Sequence, residues 1–244
     1  MPDKIEKNQK LDATPEDRLA SAKELNVALL ALAIAAAVTF GLGGWLHLLA
    51  AVVLALLPGV LIYLVHREPS LYAIFKPKRN PRTDLGLAFM ICGLGLIFGA
   101  RDVHFIDVPT LLVYAALVAL LCCAGVFSSV RRSSELLGAT VAILLVAGAN
   151  GWGLAATADA VLDRSAPESY ATTVQDKHES HSRSTSYYLD LAPWGPIKRL
   201  NRVSVSRTTY EGAFIGDLVC LELRPGVLHV EWYQVVACTK QPGR

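Results

Sequence analysis

At 244 residues, 53% hydrophobic, 18% charged and with a net formal charge of +2, the chain lacks the basic excess that nucleic-acid binding needs. Its charges are also uneven: residues 163–244 hold ten Lys or Arg and nine Asp or Glu, residues 1–24 hold five and six, and the 138 residues between hold eight and six. Long apolar runs with so few charges exclude an ordinary soluble domain there, because a backbone in lipid must satisfy its own hydrogen bonds and does so as helices.

The first 24 residues form a polar, mixed-charge arm, longer and more acidic than the leading region of a secretory signal, so the apolar run after it is expected to be a retained anchor. Within the arm, Thr14-Pro15-Glu16-Asp17 reads as a helix cap, a proline in the first turn and acids at the helix start. A short cytoplasmic helix is expected to begin there and run into the first span.

Five membrane spans are expected within a bundle at 25–162, at about 25–42, 45–65, 85–100, 109–130 and 136–157. Gly41-Leu42-Gly43-Gly44 separates the first two, since an unbroken helix over 25–65 would be about 60 Å long, twice the bilayer core. With the N-terminus inside, the cytoplasmic segments hold Lys4, Lys7, Lys10, Arg18, Lys23, Arg67, Lys76, Lys78, Arg79, Arg82, Arg131 and Arg132, against Arg101 alone outside. Twelve against one is a strong positive-inside pattern, and it leaves Trp45 and Trp152 near the outer interface. Bacterial inner membrane is the expected location, with the C-terminal part extracytoplasmic.

The bundle interior offers little chemistry. Gly95 and Gly99 form a GxxxG pair in the third span, and Ala147, Gly151 and Ala155 line one face of the fifth. Small residues at this spacing let helices approach closely, and packing within the bundle is the expected use. Asn150 is a polar group inside the fifth span, read as an interhelical hydrogen-bond donor or acceptor. Cys92, Cys122 and Cys123 behave as small apolar residues. Arg101, Asp102, His104 and Asp107, in the connector before the fourth span, form the densest polar cluster near the bundle. Their spacing matches no established metal site, so a solvated loop with a local ion pair is expected.

Residues 163–185 are rich in Ser, Thr and Ala and read as a flexible connector. Within it, Asp176-Lys-His-Glu-Ser-His181 places two imidazoles three residues apart beside carboxylates, a weak metal signal set against a solvated surface. A β domain is expected over 186–244, a small antiparallel sheet or partly open barrel. Its strands are read at 186–191, 202–207, 217–224 and 228–237, with a turn at Pro225-Gly226. A core so small benefits from a staple, and Cys220 and Cys238 are the candidates. A tight hairpin at Pro225-Gly226 would put Cys220 opposite about Glu231 and Cys238 more than 20 Å away, so the bond needs the chain to fold back.

No P-loop, GxGxxG, nucleophile elbow or paired CxxC occurs, and neither a cofactor nor a catalytic residue is expected. The expected role is a multi-pass membrane protein that presents an extracytoplasmic β module to a protein or envelope partner. The alternatives are a transporter or channel subunit using Asn150, and a membrane enzyme using the Arg101–Asp107 cluster.

Overall fold

The computed structural model describes residues 14–42, 45–75, 81–130, 136–181, 185–236 and 238. The cationic groups at Lys76, Lys78, Arg79, Arg131 and Arg132, and the arm before Thr14, lie outside them. The described chain divides into two compact units, residues 1–99 with 112–157 and residues 100–111 with 158–244.

The first unit is helical. Its elements are α1 (Pro15–Leu42), α2 (His47–Arg67), α3 (Gly86–Gly99) and the greater part of α4 (Val108–Val130) and α5 (Leu136–Val161). Four of these, α1, α2, α4 and α5, are long and apolar enough to cross a membrane. With α6 (Arg207–Gly212) of the second unit, six helices lie among the described residues. The apolar α3 has 14 residues, so it is about 21 Å long, shorter than the bilayer core.

α1 starts where its cap dictates: Thr14 Oγ1 accepts from Asp17 N–H (3.2 Å), and the Asp17 carboxylate accepts from Thr14 N–H (3.1 Å). This reciprocal pair satisfies backbone donors that the first helical turn leaves open. α2 buries Ala50, Leu54, Leu57, Leu61 and Val65, a stripe at three- and four-residue spacing that faces its neighbours. A two-residue parallel pair, β1 (Tyr72–Ala73) with β2 (Thr83–Asp84), leads into α3, and Asp84 Oδ1 accepts from Gly86 N–H (2.9 Å).

Close approach governs the packing of α3. A Cβ on Gly95 would meet Ala37 Cβ of α1 at 2.7 Å, and one on Gly99 would fall inside the Phe40 ring. Gly151 lies against the Ala115 carbonyl and Ala119 of α4, and Ala147 and Ala155 are buried. The three glycines each lie against another helix of the same unit.

The second unit is a six-stranded antiparallel sheet with spatial order β3-β8-β7-β4-β5-β6. Its strands are β3 (His104–Phe105), β4 (Glu168–His181), β5 (Thr185–Leu191), β6 (Asn201–Val205), β7 (Leu218–Arg224) and β8 (Trp232–Val236). The segment 163–185, expected as a flexible connector, instead contains the longest strand of the sheet. β4 is shared: Glu168–Thr173 pair with β7, and Val174–His181 pair with β5 across a register shift between Val174 and Asp176. Such a bulge bends the strand and increases its twist, which turns the sheet toward closure. Val174, Leu189, Leu191, Trp194, Val203, Val219, Leu221, Leu223 and Tyr233 form the core.

Cys220 and Cys238 are bonded, with Cα atoms 4.9 Å apart. The expected obstacle came from the turn. Pro225-Gly226 does not close a tight hairpin; the β7–β8 connection runs from 225 to 231, so Cys220 pairs with Val236 rather than with Glu231. The strand expected over 228–237 shrinks to Trp232–Val236 for the same reason. Cys238 then needs no fold-back.

Candidate functional site

The two edge strands, β3 and β6, are drawn together by side chains. His104 Nε2 donates to the Ser204 carbonyl (2.9 Å), and the imidazole lies 5.2 Å from the Tyr233 ring, centroid to centroid. Asn201 Nδ2 donates to Tyr233 Oη (2.6 Å). Burial holds the His104 pKa below its ordinary value, so the imidazole is neutral near pH 7, and Nε2 carries the proton it donates.

This seam leaves a cavity of about 520 Å³. Phe105, Ile106, Pro196 and Ile197 are its apolar lining residues, and Lys198, Arg199, Asn201 and Tyr233 its polar ones. The loop that supplies four of these residues is fixed by the mutual backbone bonds of Trp194 and Ile197 (2.8 Å each). Gly195 takes φ +37° at its tip, with the Tyr170 ring against its Cα, so a side chain there is strained on both counts. Lys198 Nζ donates to the Gly195 carbonyl. Tyr233 is 4% exposed, and because its oxygen accepts from Asn201, its own proton remains to be donated. No carboxylate lines the cavity among the described residues. A volume in this range, an apolar lining and a few polar groups are the features of a small-ligand site.

A second cluster lies on the same sheet. Arg202 grips Asp190 with two bonds, Nε to Oδ1 (2.7 Å) and Nη2 to Oδ2 (2.9 Å). His178 Nε2 stands 3.2 Å from Asp190 Oδ2 and 3.4 Å from Asp176 Oδ2. The Arg202 guanidinium holds the Asp190 carboxyl below the usual carboxylate range. Ligand atoms of Asp176, His178 and Asp190 lie within 4.8 Å of one another, close enough for one cation. Arg202 already occupies both Asp190 oxygens, so the cluster works first as an ionic lock across β4, β5 and β6. His181 turns instead to Glu179 (3.4 Å).

The sequence-based candidates scatter. Arg101 and Asp102 make an exposed pair at 3.7 Å, His104 enters the seam, and Asp107 accepts from Thr110 N–H (3.2 Å) at the start of α4. The four do not converge on one point. Asn150, fully buried in the helical unit, donates from Nδ2 to the Phe89 carbonyl (3.1 Å) and the Val146 carbonyl (2.9 Å). Its Oδ1 has no partner among the described residues.

Lys198, Arg199, Asn201 and Tyr233 carried no sequence signal, and neither did Asp159 and Asp163. The last two organise the β7–β8 connection: Leu228 N–H donates to Asp159 Oδ1 (2.6 Å), while Gly226 N–H (3.0 Å) and Trp232 Nε1 (3.2 Å) donate to Asp163 Oδ2. Comparison with protein-family models, with curated proteins and with solved structures yields no match for this chain.

Proposed function

We propose that the chain is a multi-pass membrane protein whose five apolar helices anchor an extracytoplasmic β module, and that the module binds a ligand or envelope partner in the cavity at its β3–β6 seam. The seam cavity carries the binding part of this reading: apolar residues and cationic, hydrogen-bonding residues line one cavity where His104 and Asn201 bridge the edges of the sheet. Two independent features support the topology. An odd number of crossings, counting the short α3, puts Arg131 and Arg132 on the cation-rich side and the Cys220–Cys238 bond on the other. A four-crossing chain would reverse both, leaving the arginines outside and the disulfide in a reducing compartment. A 14-residue span is accommodated by local thinning of the bilayer and by flanking residues.

The binding claim is tested by replacing Phe105, which lines the cavity, with the photoreactive benzoyl-phenylalanine in the full chain and irradiating intact cells. A discrete adduct is expected at position 105 and not at Phe214, which is 67% exposed and does not line the cavity. Identical adduct patterns at both positions would contradict binding at the seam.

A further inference from the structure

The cavity has a chemistry of its own. Two adjacent cations, Lys198 and Arg199, stand beside two neutral donors, the second N–H of Asn201 and the phenol proton of Tyr233. No acid on the lining offsets them among the described residues. A guanidinium and an ammonium lining one cavity match an oxyanion, the first through its planar fork and the second as a point charge. Tyr233 is 4% exposed, so a ligand that reaches its hydroxyl bonds there with little competition from water. The other lining residues, Phe105, Ile106, Pro196 and Ile197, have no charge to offer and suit a short hydrocarbon.

We propose that the seam cavity binds the anionic headgroup of an amphiphile, a phosphate or equivalent oxyanion on Lys198, Arg199 and Tyr233, with the first carbons of its apolar part against Phe105 and Ile106. Chain connectivity supplies the source. Ile106 stands two residues before α4, so it lies within about 7 Å of a helix that enters the membrane in the reading above. An anionic membrane lipid is therefore the amphiphile at hand. The proposal rests on that membrane reading, but it fails separately: a wrong topology shows in the accessibility of the module, and a wrong ligand class shows in the titration below with the topology intact.

The test is a calorimetric titration of the full chain in maltoside detergent with three probes: dihexanoyl-phosphatidylglycerol, dihexanoyl-phosphatidylcholine and inorganic phosphate. The anionic lipid is expected to saturate one site and to bind at least about tenfold more tightly than the zwitterionic lipid of equal chain length. Free phosphate is expected to bind at least about tenfold more weakly than the anionic lipid, because it forfeits the apolar lining. Lys198→Gln with Arg199→Gln should lower the affinity for the anionic lipid about tenfold or more, and Tyr233→Phe several-fold, with the disulfide still formed. Equal affinity for the two lipids would overturn the anion, and phosphate binding as tightly as the anionic lipid would overturn the amphiphile. Variants that bind like the parent would overturn the site. The three-probe comparison on the parent protein stands even if a variant fails to fold.

Discussion

Asp190 is 4% exposed, and both its oxygens are taken by Arg202. Since its folded pKa lies below the unfolded value near 3.9, the unfolded chain takes up the proton first, and the stabilisation is present above about pH 4 and lost as the pH falls further. His104 acts in a different window. Its pKa is lowered by burial, so the unfolded chain protonates first here too, and stability declines as the pH drops below about 6.5 toward the folded value. Thermal unfolding of the full chain, followed by near-ultraviolet circular dichroism between pH 3 and 8, should therefore show two declines on the acid side. His104→Gln is expected to lessen the upper one and Asp190→Asn the lower one, to which Asp107 and Asp163 also contribute; unchanged profiles would contradict both assignments. Neither group was legible as a stability element, because the partners, Ser204 and Arg202, lie 100 and 12 residues further along the chain.

The β7–β8 hairpin shows what an element needs beyond its own pattern. Val219, Leu221 and Leu223 face the core, as strict alternation requires, and this strand was readable from the sequence. β4 was not, because only Thr172 and Val174 of its 14 residues are buried, so no apolar alternation marks it. The hairpin's connection was misread for a reason of distance: Asp159 and Asp163 capture the backbone of residues 226–228 from more than 60 residues away and extend what the local turn signal would have closed. Gly226 meets two demands there, a φ of +72° and the Asp159 carboxylate against its Cα. Gly226→Ala is expected to cost about 2 kcal/mol or more, seen as a lower unfolding midpoint with the disulfide intact. The Cys220–Cys238 bond, with a sequence separation of 18, should contribute about 3 kcal/mol by limiting the unfolded chain, so Cys220→Ser is expected to destabilise the β unit by a comparable free energy, read as a lower unfolding midpoint. The long helices were legible throughout, since uninterrupted apolar length is a strong local signal.

Across the whole molecule, the signals that a sequence carries locally and those it does not fall on different levels. Apolar length and the clustering of Lys and Arg in a few connectors are each readable along the chain. The seam cavity is not, because it is assembled from residues 105–106, 196–201 and 233, three segments with no common motif. Sequence proximity pointed to Arg101–Asp107 as a polar cluster, yet strand geometry sends His104 into the seam and leaves Asp107 at the start of α4. In the proposed topology the disulfide-bonded β unit faces an oxidising, extracytoplasmic space. Alkylation of intact cells with a membrane-impermeant maleimide, with and without prior reduction, tests it most directly at Cys220 and Cys238. Labelling of both only after reduction is the predicted result; labelling that requires cell lysis even after reduction would contradict it and place the β unit in the cytoplasm.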